Sequence, residues 1–263
     1  MSEITSLQNQ YVKQLVKLRE RRVRDKTNQY LIEGYRELSR ADTVEIDSLF
    51  YSPQHFLGSN EEALIDSIKL RGAQIFRVTK EVFEKISYRD RPDGLIAIAN
   101  KKPLTLSDLN LEASPFLLIV ESIEKPGNLG TILRSSDAAG VDAVIICDRC
   151  TDIYNPNVVR ASVGTLFTQP VIESTSEEVI SFLKEKQISI VATTPHAETI
   201  FTQVDLTGPL AIAMGTEQLG LSDQWLKQAD IKVKIPMKGV ADSLNVASAT
   251  TLILYEALRQ KNA

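Results

Sequence analysis

Short apolar runs alternate with amphipathic stretches along this chain of 263 residues, and the alternation runs through two successive series. Nothing else in the sequence narrows the fold as much. A short apolar run bounded by turn residues marks a strand, and apolar residues returning every third or fourth position mark a helix. Strands separated by helices build a largely parallel sheet covered on both faces. In the first series, residues 6–24 predict an amphipathic helix carrying Leu7, Tyr11, Leu15 and Leu18. Tyr30–Glu33 predicts a strand ending at Gly34, Tyr35–Arg40 a helix, and Ile46–Tyr51 a strand. Glu61–Arg71 reads as a helix, Gln74–Val78 as a strand, Lys80–Ile86 as a helix and Gly94–Ala99 as a buried strand.

Pro103 and the polar residues after it then predict a linker at 104–113, dividing the chain into domains 1–103 and 114–263. The second series places strands at Phe116–Val120, Ala143–Cys147, Pro170–Ile172, Ile188–Thr193, Leu210–Met214 and Ile231–Ile235. Helices are expected at Leu129–Ala139, from Asn157 to Ser162, and at Ser176–Glu185, Ser222–Gln228 and Leu244–Gln260. Ser243 is a good N-cap for the last of these.

With 43% hydrophobic and 24% charged residues, the chain can bury an ordinary core. No apolar run reaches membrane-spanning length, and the opening MSEITSLQNQ has no apolar signal core. Only two cysteines accompany it, so a reducing, cytoplasmic setting without membrane contact is expected. Cys147 and Cys150 form a C-x-x-C pair. A redox pair or half a zinc site is conceivable, but no second pair exists and His55 and His196 lie far off in sequence. A strand end with its loop explains the pair better, and no metal is expected.

The net charge of −4 is unevenly spread. Residues 1–103 hold 18 Lys and Arg against 15 Asp and Glu, whereas residues 104–263 hold 12 against 19. The basic excess gathers at Lys13, Lys17, Arg19, Arg21, Arg22, Arg24 and Lys26. Such a stripe is either a phosphate-binding surface or a solvated helix face.

In open α/β sheets, ligands bind beyond the carboxyl ends of strands. Three Gly-containing polar segments follow predicted strands: Glu124–Arg134, Gly215–Ser222 and Ile235–Asn245. None is a dinucleotide fingerprint or a P-loop, and no zinc-protease or nucleophile-elbow motif occurs. Neither histidine is expected in a polar strand-end loop, which argues against histidine acid–base chemistry. The ionisable groups left are Arg134, Glu217, Lys238 and Asp242. A backbone-rich pocket of this kind suits a large neutral cofactor and group transfer driven by positioning.

Together, NLGTILR, MGTEQLGLS and IPMKGVADSLNVASA resemble the three ordered motifs of the SpoU/TrmH family of RNA ribose 2′-O-methyltransferases, within the SPOUT class. The resemblance spans about Phe116–Gln260. Residues 1–100, with LIEGYRELSRA and RPDGLIAIA, look like the substrate-binding domain of ribosomal-RNA members, which is related to a ribosomal protein fold. The resemblance implies a small N-terminal α/β RNA-binding domain and a C-terminal parallel-sheet domain with a deep trefoil knot. It implies a homodimer, S-adenosylmethionine as cofactor and ribosomal RNA as partner, 23S rRNA being favoured by the N-terminal domain. A tRNA ribose methyltransferase and a non-catalytic RNA-binding or ribosome-assembly protein are the competing readings.

By that resemblance, Met214, Gly215, Thr216, Gly220, Ile235, Met237, Ser243 and Leu244 line the cofactor pocket. Asn128, Arg134, Glu217, Ser243 and Asn245 match the positions acting at the RNA ribose. A guanidinium is costly to deprotonate, so Arg134 is expected to clamp the adjacent phosphate, with any role as base second. Asn128 orients Arg134 or the phosphate, or is a turn residue; Glu217 holds Arg134 or receives a proton, or is a helix N-terminal charge. Arg19, Arg21, Arg22, Arg24 and Arg160 are the expected RNA contacts. The chain departs from the family where many members carry Asp-Pro ahead of the first-motif Asn. Here the segment is Glu124-Lys125-Pro126-Gly127-Asn128, which alters the surface facing the substrate.

Overall fold

The structure is a computed structural model that describes residues 3–148 and 151–262. It forms two compact units, one of Met1–Lys102 with Asp152–Thr168 and the other of Pro103–Thr151 with Gln169–Ala263.

The first unit carries a five-stranded mixed sheet in the order β1-β4-β3-β5-β2, with β1 at Glu3–Ile4, β2 at Gln29–Glu33, β3 at Ile46–Tyr51, β4 at Gln74–Val78 and β5 at Leu95–Asn100. β5 runs antiparallel to both of its neighbours. The turn into β5 is made by Gly94, whose φ of 85° and contact with the Ser52 carbonyl leave no room for a side chain. Helices α3 (Tyr35–Leu38), α4 (Glu61–Leu70) and α5 (Lys80–Ile86) lie close to the expected positions.

The single helix expected at 6–24 is instead two, α1 (Gln10–Lys17) and α2 (Arg21–Thr27). Asn9 caps α1 by accepting from the Tyr11 N–H, and Glu20 is extended between the two. Arg24 explains the break. Its guanidinium donates to the carbonyls of Leu18 and Arg19 at 2.9 and 2.7 Å, which a continuous helix would use in its own ladder. The apolar face still does what its spacing demands: Leu15 and Leu18 are fully buried against Phe83, Ile86, Ile96 and Ile98.

The boundary of this unit differs from the expected division. Segment 152–168 was expected with the second domain, but α7 (Pro156–Ser162) packs on β2 in the first unit. Two contacts account for it. The Tyr30 and Tyr154 rings meet at 4.5 Å, and Arg24 donates to Asp152 through Nε and Nη2 at 2.9 and 2.7 Å.

The second unit holds a six-stranded sheet in the order β11-β9-β10-β6-β7-β8, with every pair parallel. Its strands are β6 (Phe116–Glu121), β7 (Ala143–Cys147), β8 (Val171–Ser174), β9 (Ser189–Thr193), β10 (Leu210–Met214) and β11 (Ile231–Val233). Leu117–Val120 are wholly buried, as a strand covered on both faces requires. Helices α6 (Pro126–Ala138), α8 (Ser176–Glu185), α9 (Asp223–Gln228) and α10 (Val246–Lys261) complete the unit. The 104–113 segment is no free linker. Leu104 bridges to Ile172, and Leu106, Leu109 and Leu111 pack on the sheet core.

The last helix starts later than expected, and its cap is Asn245 rather than Ser243. The Asn245 Oδ1 accepts from the N–H groups of Ala247 and Ser248. Successive strands β6, β7 and β8 step to one side of the sheet, while β10 lies on the other side of β6. That reversal opens a crevice at the carboxyl ends of the strands, where the site lies.

Candidate active site

A cavity of about 430 Å³ opens at the carboxyl ends of β9, β10 and β11. The segment after β10 supplies one wall with Met214, Gly215, Thr216 and Gly220; Ile235 and Met237 after β11, then Ser243 and Leu244, supply another. All eight residues expected around a cofactor therefore line one cavity. Leu226 and Val233 add apolar surface, and Val246 and Ala249 contribute from the first turns of α10.

Gly215 is required here by contact rather than by dihedral angle. A Cβ on it would lie 2.1 Å from the carbonyl carbon of Gly220 and 2.2 Å from the Leu221 nitrogen. The chain folds back tightly because Thr216 and Gly220 exchange two backbone hydrogen bonds, at 3.0 and 3.1 Å. Gly220 supplies the left-handed residue of that turn, with φ 68°. Glu217 sits in this turn, not at a helix N-terminus, since α9 begins at Asp223.

Glu217, Asn128 and Asn245 form one hydrogen-bonded cluster. Glu217 Oε1 accepts from Asn128 Nδ2 at 2.9 Å and from Asn245 Nδ2 at 2.7 Å. Asn245 Nδ2 also donates to Asn128 Oδ1 at 3.1 Å. The three come from the start of α6, the β10 turn and the cap of α10. Lys125 Nζ lies 2.6 Å from Glu217 Oε2. Hydrogen bonding to Lys125 is the largest influence holding the Glu217 carboxyl below the usual carboxylate range. Turn residues 216–219 and Val246 wall both the cavity and a smaller recess in front of Asn128.

Ser243 stands apart from the cluster. Its hydroxyl donates to Asp242 Oδ1 at 3.3 Å, and it faces the cavity. Arg134 is exposed on α6, and among the described residues its side chain makes no hydrogen bond or ion pair. Six positions separate it from Asn128, which turns it about 120° around the helix from that side chain. The structure therefore does not join Arg134 to Glu217 within one chain.

A model of the SpoU rRNA methylase family matches residues 115–255, and a model of the MRM3-like substrate binding domain matches residues 9–97. A 23S rRNA uridine 2′-O-methyltransferase of Streptomyces viridochromogenes is 31% identical over 98% of this chain and 92% of its own length. The 23S rRNA guanosine 2′-O-methyltransferase RlmP of Bacillus subtilis is 27% identical over 97% of this chain and 98% of its own. The structure of an AdoMet-bound rRNA methyltransferase from Sinorhizobium meliloti superimposes with a TM-score of 0.90, at 31% identity, covering 98% of this chain and 97% of that one. The chain belongs to the SpoU rRNA methylase family.

For a SpoU-family protein, the basic stripe of the first unit needs correcting. Arg24 is 1% exposed and engaged with Asp152, so it is a structural residue and offers RNA nothing. Arg19 is half-buried, and its Nη2 donates to the carbonyls of Lys85, Ile86 and Ser87 at 2.8–2.9 Å. Arg21, Arg22 and Arg160 are exposed, as are Lys13, Lys17 and Lys26. The charge count could not separate these two groups, because burial depends on partners remote in sequence.

The loop after β9 escaped the sequence reading. Thr193, Thr194, Pro195 and His196 line the cavity, so His196 does stand in a polar strand-end loop. Its signal was a buried strand running straight into Thr-Thr-Pro-His, without the glycine that drew attention to the other segments. A second concavity of about 490 Å³ in the first unit was also missed. Its walls include Tyr35, Glu37, Glu61, Arg89 and Asp93. Cys147 is buried at the end of β7, where burial pushes its thiol up; Cys150 lies outside the described residues. Among the described residues, no group of three or more His, Cys, Asp or Glu is placed to hold a metal ion, and no helix is long and apolar enough to cross a membrane.

Proposed function

We propose that this SpoU-family enzyme methylates a ribose 2′-hydroxyl of 23S rRNA using S-adenosylmethionine. One observation carries the reading: the Thr216–Leu219 turn is shared between the strand-end cavity and the recess lined by Asn128 and Glu217. A cofactor in the cavity and a ribose in the recess would meet across that turn. The apolar walls from Ile235, Met237 and Leu226, with backbone groups of the β10 turn, fit an adenosine and the methylene carbons of an amino-acid side chain. S-adenosylmethionine supplies a methyl group on a positively charged sulfur.

The chain's residues supply position and charge. Asn128 and Asn245 hold Glu217 in one orientation, so its carboxylate presents a fixed acceptor toward the recess. Arg134 clamps a substrate phosphate, aligning the 2′-oxygen. Ser243 contributes at the cavity rim. The relatives act on ribosomal RNA, by their names, and the matched substrate-binding domain supports that substrate here. The exposed Arg21, Arg22 and Arg160 are the RNA contacts in this reading. A cytoplasmic location follows from the same substrate.

We also read the enzyme as a homodimer with a C-terminal trefoil knot. Leu252 and Tyr255 of α10 are 45% and 47% exposed, an apolar strip that a second copy would cover. Arg134, turned away from its own Glu217, fits a site completed across such an interface. The knot is supported by β10 lying between β6 and β9 while α10 returns to pack on α6.

The test is methyl transfer from labelled S-adenosylmethionine to unmodified total RNA, with the modified nucleotide mapped. Label at a ribose of one large-subunit rRNA position supports the proposal. Label confined to tRNA overturns the substrate, and cofactor binding without label in RNA or ribosomal particles leaves the assembly-factor reading. Arg134→Ala is expected to abolish transfer with cofactor affinity unchanged by calorimetry; equal loss of both removes the phosphate-clamp role. Reversing charge at Arg21 and Arg22 is expected to weaken RNA binding and to reduce its salt slope by about 1 per residue. An unchanged slope in filter binding would make this a solvated face.

A further inference from the structure

We infer that Lys125 is a positioning residue for methyl transfer, its ammonium pinning the Glu217 carboxylate in the orientation that Asn128 and Asn245 share. The inference rests on the function proposed above. Lys125 occupies the N-cap of α6, just before Pro126 at the first helical position. A lysine is poorly suited to that place. It offers no acceptor for the free N–H groups of the first turn, and its charge faces the positive end of the helix dipole. Its side chain makes no capping hydrogen bond.

What the lysine does instead is reach across to the β10 turn. Its Nζ is 2.6 Å from Glu217 Oε2, while Oε1 of the same carboxylate takes both asparagine amides. Each oxygen of Glu217 is thereby committed to a different set of donors, which removes the freedom to rotate about the last side-chain bond. Asn245 carries the constraint onward, because its Oδ1 caps α10. Loss of Lys125 leaves Oε2 without this donor.

This ion pair does little for stability. The Lys125 side chain is 68% exposed and that of Glu217 25%, and exposed pairs contribute little to folding. The charged groups facing Glu217 are few. Lys125 and Glu124 share its recess, and Asp242 and His196 line the cavity on the other side of the turn. Among the described residues Lys125 is the cation lining the recess, and its hydrogen bond is the largest of the influences that lower the Glu217 carboxyl, ahead of the Asn128 amide and the Val246 N–H. The direction follows: without Lys125, Glu217 takes up a proton at higher pH, and activity that needs the carboxylate fails earlier as pH falls.

The experiment compares the wild type with Lys125→Met and Lys125→Arg in the full chain. Three quantities are read: thermal unfolding, the Glu217 carboxyl titration by carbon-13 NMR with Glu217→Gln for assignment, and kcat and KM from pH 5 to pH 8. For Lys125→Met we expect unchanged thermal unfolding and a Glu217 titration moved to higher pH. We also expect a several-fold loss in kcat that deepens toward pH 5, with cofactor affinity retained. Lys125→Arg restores the titration and the acid limb. An unmoved Glu217 titration, or a kcat loss equal at pH 5 and pH 8 that arginine does not repair, overturns the inference. A wild type that methylates no RNA overturns the function instead, and the NMR titration still decides whether Lys125 controls Glu217.

Discussion

Replacing Asp152 with alanine is expected to lower the stability of the first unit by about 3–5 kcal/mol, because it strips the partner from a fully buried cation. Arg24 and Asp152 are 1% and 4% exposed, and the guanidinium meets one carboxylate oxygen through two nitrogens. The Leu18 and Arg19 carbonyls take Nη1 but bring no compensating charge. Urea unfolding followed by circular dichroism measures the loss, and hydrogen exchange at β2 amides locates it. The double variant Arg24→Met, Asp152→Leu should recover much of the loss, since a well-packed apolar pair avoids desolvating two charges. A single-variant loss below about 1 kcal/mol would place the pair among those that contribute nothing measurable. A chain shortened to residues 1–103 carries the same defect, because it keeps Arg24 and discards Asp152.

Gly215→Ala is expected to remove cofactor binding while leaving most of the fold in place. The added carbon would lie 2.1 Å from the Gly220 backbone, well inside any tolerated contact, and backbone cannot rotate aside as a side chain can. Either the 220–221 strand of the turn shifts outward or β10 does, and both line the cavity. A loss of at least about ten-fold in cofactor affinity, about 1.4 kcal/mol, is the expected calorimetric result. Overpacking of this kind costs roughly 1–3 kcal/mol of stability. Gly239→Ala is the control, since a Cβ there meets nothing within 4 Å. Equal affinity in both variants would mean that the turn is too pliable to define the pocket.

Much of the second unit was legible from local pattern. The runs at 116–120, 143–147 and 210–214 are apolar on both faces because a central parallel strand is covered on both faces, and they fold as strands, the first extending one residue further to Glu121. The segments that line the strand-end cavity were equally visible, since strand-end loops with Gly and small residues mark where backbone approaches a ligand. Where the reading strayed, a side chain outweighed local pattern. Ser243 and Asn245 are both good caps. Asn245 wins because its amide also reaches Glu217 and Asn128, residues that no local rule brings near it. The residues at 104–113 look like a linker from their polarity and the preceding Pro103, yet Leu104 bridges to Ile172, and Leu106, Leu109 and Leu111 find apolar surface to cover.

The sequence by itself determined the succession of strands and helices, the edge of the sheet on which a ligand sits, and the family, through three ordered motifs. All of these depend on neighbours within a few residues of one another, or on the order of such groups. The folded arrangement is what separates the charges left exposed from those that hold the chain together. Arg21, Arg22 and Arg24 are indistinguishable in a charge count, yet only Arg24 finds a carboxylate 128 positions away and disappears into the core. Lys125, Asn128, Glu217 and Asn245 become one cluster only when the starts of α6 and α10 meet the β10 turn. Electrostatic and hydrogen-bond energies fall steeply with distance, so the fate of a polar side chain is set by what the fold carries to within about 3 Å of it.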